Sequence, residues 1–371
     1  MVFNSIFFIF CFLPVFMLIY YLVPGKLRNL LLFLGSLIFY AWGEPVYVIL
    51  MLFSSIFNYY MGTELERLYY DDRKQKINLV FSIIINLAVL MFFKYYGFLL
   101  NTIGGIIGIH IPHPELSLPI GLSFYTFRNL SYLFDIYLSK VSAQRNFLTF
   151  SVYSTMFPYT SAGPIVRYTD IETQLKQRTI NIFKFGIGAE LFVNGLAKKV
   201  LLADNLSVLY SSICGHPQMS VFTSWLGILA YTMQLYFDFS GYSDMAIGLG
   251  KMLGFDFNKN FDYPYISTSV SEFWRRWHIS LGSWFRDYIY IPLGGNRVST
   301  LKHIRNILVV WALTGLWHGA SWNFVLWGVY YGLFLLLEKF VLQKYLKKIP
   351  SWLCTVYTML VVIIGWVFFS Q

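Results

Sequence analysis

The segment NILVVWALTGLWHGASWNFVLWGVYYGLFLLL (residues 306–337) contains no Asp, Glu, Lys or Arg. A helix that crosses a bilayer needs about 20 predominantly apolar residues, so this segment is long enough to lie within a membrane. It nevertheless carries an ionisable side chain, His318, in its centre. The sequence leaves open whether the segment crosses the bilayer once or turns near Gly315 or Gly319.

The composition of the whole chain agrees with a membrane protein. Its 371 residues are 57% hydrophobic and 12% charged, whereas soluble domains carry about 25% charged residues. The pattern predicts an all-α, polytopic integral membrane protein that forms a single membrane domain over residues 1–371. Ten apolar runs lie at 3–23, 29–42, 46–62, 77–93, 118–139, 147–162, 185–203, 221–250, 306–337 and 352–369.

The charges bear on orientation and partners. The formal net charge is +10, which is typical of basic cytoplasmic loops and is also compatible with an anionic ligand such as a nucleotide. By the positive-inside rule, 24–28, 63–76 and 140–146 face the cytoplasm and 97–117 faces outward. Cys11, Cys214 and Cys354 are an odd set without metal-ligand spacing, so we predict no metal site.

Two apolar runs contain features that a straight span would not tolerate. Pro158 and Pro164 lie in FPYTSAGPIVRY (157–168), which predicts a broken or re-entrant helix surrounded by protein. Arg128 and Asp135 are seven residues apart and therefore share a helix face. Charges inside a span face a bundle interior or a cavity, so this pair is either an internal ion pair or a functional group.

The run YFDFSGYSDM (236–245) is also polar for a span. Asp238 and Asp244 flank Gly241, and buried charges are normally paired. We therefore treat both carboxylates as candidate substrate-binding groups that could orient a basic partner.

The segment SEFWRRWHISLGSWFRDYIYIPLGGNR (271–297) combines tryptophan and arginine, as interfacial segments do. Read as one helix, it forms an apolar stripe. An interfacial anchor explains the stripe but not His278. Gly294 and Gly295 predict a tight turn, and Asn296 and Arg297 beyond it offer donors to a phosphate. The stripe comprises Trp274, Trp277, Leu281, Trp284 and Tyr288.

His318 has neighbours that a packing histidine does not need, because Trp317, Ser321 and Asn323 form a polar cluster around it. A neutral imidazole can take a proton from a hydroxyl, and burial favours the neutral form. No Ser or Cys lies in a nucleophile elbow. The residues therefore favour general-base chemistry over a covalent acyl-enzyme.

These motifs resemble the membrane-bound O-acyltransferase superfamily, and within it the alginate O-acetyltransferase branch. The resemblance extends over nearly the whole chain and is most diagnostic in 231–332. The family's chains usually continue with further spans, so we expect this chain to be short at its C-terminus. The motifs are EFWRRWHISLGSWFRDYIYIPLGGNR, LTGLWHGASWNFVLWGVYYG, YFDFSGYSDMAIGLG, FYAWGEP, LPIGLSFYTF and AGPIVRY.

The resemblance implies a multi-helix enzyme with a funnel through the bilayer of the bacterial plasma membrane. It implies His318 as the catalytic residue and His278 as the second important histidine. The acyl group would be acetyl from acetyl-CoA, with no bound cofactor. The acceptor would be an exported polysaccharide, reached with an extracytoplasmic SGNH-type partner acyltransferase, and no nucleic acid would be involved.

The other site residues are substrate-binding candidates. We expect Arg275, Arg276 and Arg297 to contact the phosphates of the donor. Two alternatives remain open at this point: D-alanyl, lipid or protein acylation within the superfamily, and a non-enzymatic transporter of acyl groups. The full candidate set beside the two histidines is Arg275, Arg276, Trp277, Asn296, Arg297, Trp317, Asn323, Asp238 and Asp244.

Overall fold

A computed structural model describes residues 1–114, 116–216 and 219–370. Every regular element in these residues is a helix, which confirms the all-α prediction. In the described part of the chain, four helices are long and apolar enough to cross a membrane: Val48–Arg67, Asp72–Ile107, Trp322–Leu346 and Ser351–Phe369. The protein is therefore a membrane protein, as its composition predicts.

The described residues pack into two compact units. The prediction of one membrane domain over residues 1–371 stays a prediction, and position 371 lies outside the described residues. The first unit comprises residues 1–193 and 244–258. Its helices are α1 (Leu13–Leu22, preceded by a π-helical turn at Phe8–Phe12), α2 (Arg28–Gly43), α3 (Val48–Arg67), α4 (Asp72–Ile107), α5 (Leu122–Tyr137), α6 (Phe147–Thr155), α7 (Phe157–Thr160), α8 (Tyr168–Lys176) and most of α9 (Ile182–Ala197).

The predicted break in the segment 157–168 is present, because α7 ends at Thr160 and α8 begins only at Tyr168. A second break separates α6, which ends at Thr155, from α7. Helix ends leave carbonyl groups without intrahelical partners, and here Arg128 of α5 satisfies two of them. Its guanidinium donates to the Ser154 and Tyr159 carbonyl oxygens, each at 3.0 Å, and lies 4.3 Å from the centre of the Tyr159 ring. Asp135, also fully buried, pairs with Lys140 at 3.2 Å. These contacts give both charges a packing role in the first unit.

The second unit comprises residues 194–243 and those from 259 onward. Its core is aromatic, with Phe261, Phe273, Trp277, Trp327 and Trp366 all buried. Its helices are α10 (Asp204–Cys214), α11 (Val221–Met252, whose residues from Asp244 belong to the first unit), α12 (Val270–Arg276), α13 (Ile279–Phe285), α14 (Thr300–His318), α15 (Trp322–Leu337), α16 (Gln343–Leu346) and α17 (Ser351–Phe369). π-Helical turns lie at Lys198–Ala203, Arg286–Tyr290 and Glu338–Leu342.

The segment 306–337 turns rather than crossing once. Helix α14 ends at His318 and α15 begins at Trp322, and the two run antiparallel because Gly315 faces Gly328 while Leu308 faces Gly332. Small residues allow helix backbones to approach closely in membranes. A Cβ placed on Gly315 would overlap the backbone carbonyl of Phe324, so glycine is required at this crossing.

We expect Gly315→Ala to destabilise the second unit by about 1–3 kcal/mol, since an added methyl group forces apart two packed backbones. Thermal unfolding of the purified protein in detergent measures the loss. Gly186→Ala in α9 is the matched control, because a Cβ there meets nothing within 4 Å. Equal midpoints for the two variants would contradict the close crossing.

Candidate active site

The helix expected over 271–288 is interrupted at His278. Helix α12 ends at Arg276 and α13 begins at Ile279, so the prediction of one continuous helix is wrong. His278 adopts a left-handed conformation with φ +45° and ψ +53°. A hydrogen bond to a residue distant in sequence stabilises this conformation, because the N–H of Ile279 donates to the Asn260 carbonyl at 2.9 Å. Non-glycine residues in this region carry strain of about 1–3 kcal/mol and cluster at functional sites.

His278 is 3% exposed, and its imidazole is oriented by the side chain of Asn260. The backbone N–H of Ser280 donates to Asn260 Oδ1 at 3.1 Å. Because a backbone N–H can only donate, it identifies this atom as the oxygen of the amide. His278 Nδ1 lies 3.3 Å from the same oxygen. Nδ1 therefore carries the proton, and Nε2 of the neutral ring carries the lone pair.

The lone pair of His278 Nε2 is buried and has no hydrogen-bond partner among the residues that the structure describes. Burial holds the pKa of His278 well below its ordinary value. The ring is packed against apolar surfaces, with its centre 4.7 Å from that of Phe239 and 5.8 Å from that of Trp317. The site thus presents a neutral acceptor nitrogen in an apolar environment.

His318 is the last residue of α14 and is half-buried. Its ring centre lies 4.9 Å from that of Trp327 and 5.1 Å from that of Phe369. Trp317 lies between the two histidines. Its ring centre is 5.0 Å from that of His318, and the same ring also packs against His278. The structure thereby brings together two histidine motifs that are 40 positions apart in the chain.

The neighbouring arginines have different environments. Arg276 pairs with Glu272 at 2.8 Å and donates to the Asp262 carbonyl at 3.2 Å, so its guanidinium is already engaged. Arg275 is exposed and lines a cavity of about 440 Å³. Trp277 belongs to the aromatic core, with its ring centre 5.0 Å from that of Trp366.

The remaining candidates have the following environments. Asn296 and Arg297 are exposed beyond the predicted turn, in which Gly294 and Gly295 have φ of +100° and +57°. Asn323 is half-buried in the first turn of α15. Asp238 pairs with Lys199 at 2.9 Å, and Lys199 also pairs with Asp204 at 2.9 Å. Asp244 belongs to the first unit.

Sequence reasoning missed the residues that orient His278. Asn260 is 18 positions upstream, and its amide donates to Ser243 Oγ at 3.1 Å. Ser280 Oγ donates to Asn260 Oδ1 at 2.9 Å. Ser280, two positions after His278, was the one local sign of a polar contact to the histidine. Nothing in the sequence distinguishes Asn260 from other loop asparagines.

Comparison with known proteins adds to this geometry. The model of the membrane-bound O-acyltransferase family matches residues 45–370. The chain belongs to the membrane-bound O-acyltransferase family. Both histidine segments lie within the matched region. A member of this family is an enzyme that transfers acyl groups to oxygen, so the alternative of a non-enzymatic transporter is set aside.

Three relatives illustrate the range of this O-acyltransferase family. The chain is 43% identical to the probable alginate O-acetylase of Pseudomonas aeruginosa, over 100% of this chain and 72% of the relative. It is 34% identical to the peptidoglycan O-acetyltransferase of Helicobacter pylori, over 100% and 77%. It is 27% identical to the teichoic acid D-alanyltransferase of Bacillus subtilis, over 64% and 63%.

Proposed function

We propose that this O-acyltransferase moves an acetyl group from acetyl-CoA, taken from the cytoplasmic side of the plasma membrane, to hydroxyl groups of an exported or cell-surface polysaccharide. The similarity to two relatives named as O-acetylating enzymes supports the acetyl group and the carbohydrate acceptor. The single observation that carries the chemistry is the pair of imidazoles around Trp317, one with a buried acceptor nitrogen. An extracytoplasmic SGNH-type acyltransferase would complete delivery to the polymer.

His318 is proposed as the general base. It removes the proton of the acceptor hydroxyl while the oxygen attacks the carbonyl carbon of the thioester. The C–S bond then breaks, and the departing thiolate recovers the proton from His318. Atoms and charge balance without a covalent acyl-enzyme. General acid–base catalysis by a positioned side chain accelerates a reaction by about 10²–10⁴-fold.

His278 is proposed to hold the acceptor hydroxyl. Two roles suit a second histidine in such a site: orienting the acceptor, or stabilising negative charge on the thioester oxygen. Stabilising that oxygen requires a hydrogen-bond donor. The Nδ1 proton of His278 is directed at Asn260, and burial disfavours a second proton on Nε2. A neutral Nε2 accepts a hydrogen bond from a hydroxyl, which favours the orienting role.

We expect Asn260→Asp to shift the acidic limb of the activity profile to higher pH. A carboxylate beside Nδ1 stabilises the imidazolium and raises the pKa of His278. At a given acidic pH a larger fraction of His278 is then protonated and cannot accept from the hydroxyl. The profile of kcat/KM against pH measures the shift. Asn181→Asp, at an exposed helix cap, is the control, and an unchanged limb for Asn260→Asp would contradict the orienting role.

The proposed reaction is tested by supplying acetyl-CoA labelled in the acetyl group to membranes that contain the protein and candidate polymers. We expect alkali-labile label on a polysaccharide. Label on lipid or protein only, or transfer only when a D-alanyl donor is supplied, would overturn the proposed acceptor or acyl group while leaving family membership intact.

A further inference from the structure

The cavity beside Arg275 lies entirely within the second unit and is lined by two helical faces. Ser271 and Arg275 are four residues apart on α12 and therefore share one face. Lys339, Gln343 and Lys347 follow one another at four-residue steps along the opposite wall. Both sets line the same cavity of about 440 Å³, so three cationic side chains converge on one space.

The carboxylate in this cavity is already engaged. Glu338 is 3% exposed and accepts hydrogen bonds from the N–H of Val270 at 2.6 Å, the N–H of Ser271 at 3.0 Å and Ser271 Oγ at 2.9 Å. These donors belong to the first turn of α12, where a negative charge is favoured. Glu338 therefore fixes α12 against the start of the π-helical turn and has little capacity left for the cations.

The cations themselves lack counter-charges. Lys339 Nζ lies 3.1 Å from His303 Nε2, which also faces Tyr290 Oη at 3.0 Å. An ammonium can only donate, so this histidine nitrogen accepts and does not neutralise it. Among residues 1–114, 116–216 and 219–370, no ion pair to Arg275 or Lys347 is found. Against the one carboxylate, the three cations leave the cavity with a local charge of about +2 at neutral pH.

We propose that this cavity binds the phosphate group of an organic phosphate. Arginine and lysine donors from two walls, with the amide of Gln343 beside them, match the several acceptor oxygens of a phosphate ester. Two kinds of molecule contain such a phosphate group: the acyl donor and an anionic phospholipid. Assigning the phosphate to the acyl donor rests on the proposed function, whereas the binding of a phosphate group by this cavity does not.

The binding is tested with inorganic pyrophosphate by calorimetry on the purified full chain in a neutral detergent. We expect saturable binding to the unmodified protein. Each of Arg275→Ala and Lys347→Ala should weaken it about tenfold, the scale of one charge-assisted hydrogen bond. Lys344→Ala is the matched control, because Lys344 lies over the Tyr345 ring and does not line the cavity. Absence of binding, or equal affinity in all variants, would overturn the proposal.

Two further measurements identify the source. A rise in KM for acetyl-CoA of about tenfold in Lys347→Ala, with kcat little changed, assigns the phosphate to the donor. Retention of phosphatidylglycerol over phosphatidylcholine from nanodiscs, observed by native mass spectrometry and reversed by pyrophosphate, assigns it to a lipid. Both results support a phosphate site. An inactive protein that still binds pyrophosphate would refute the proposed reaction alone.

Discussion

Replacement of His318 by alanine is expected to reduce acetyl transfer by about 10²–10⁴-fold, the scale of positioned general-base catalysis. The expectation follows from its place at the end of α14, half-buried and in contact with the indole that also contacts His278. Initial rates with labelled acetyl-CoA measure the loss. Since a base acts in the chemical step, kcat should fall far more than KM rises.

A second substitution at the same position separates chemistry from packing. The His318 ring lies against Trp327 and Phe369, so alanine also leaves a cavity. His318→Phe retains an aromatic ring but has no nitrogen, and it should be as inactive as the alanine variant while unfolding closer to the unmodified protein. His110→Ala, at an exposed loop position, should retain full activity. Activity in His318→Phe within threefold of the unmodified protein would rule out the base.

Replacement of His278 by asparagine is expected to reduce the rate of acetyl transfer by about 10²-fold, which is the rate loss that a small misplacement of a reacting group causes. Asparagine tolerates the left-handed conformation that His278 adopts, so the break between α12 and α13 should persist. It does not provide the imidazole acceptor nitrogen at the same place. The loss should therefore appear in rate, with a thermal midpoint close to that of the unmodified protein.

His278→Ala is the companion variant. Alanine disfavours the left-handed region, so this variant should lose both activity and about 1–2 kcal/mol of stability. If His278→Asn transfers acetyl at the unmodified rate, the buried Nε2 is a packing feature and the orienting role is wrong. If both variants unfold, the comparison moves to Asn260→Asp, whose pH profile reports on the same imidazole.

Much of the fold could be predicted from the sequence, because membrane helices are encoded by local hydropathy. The run 352–369 corresponds to α17 at Ser351–Phe369, and the run 29–42 to α2 at Arg28–Gly43. The break within 157–168 was also predictable, since proline removes a donor and disrupts helix geometry. In each case the deciding residues lie inside the element itself.

The candidate site was less predictable, because its decisive contacts come from distant residues. The pattern over 271–288 fits one helix, and the break at His278 depends on the backbone and side chain of Asn260. Likewise the partner of Asp238 is Lys199, from a π-helical turn that has no clear sequence signal. The sequence identifies both histidines as unusual, whereas the protonation and orientation of His278 follow from tertiary contacts.

The most direct test is transfer of labelled acetyl from acetyl-CoA to polysaccharide by membranes that contain the protein and its SGNH-type partner acyltransferase, compared across the unmodified chain, His318→Phe and His278→Asn. We expect alkali-labile label on the polysaccharide with the unmodified chain and a loss of at least about 10²-fold in each folded variant. Equal labelling by all three folded proteins would contradict this expectation.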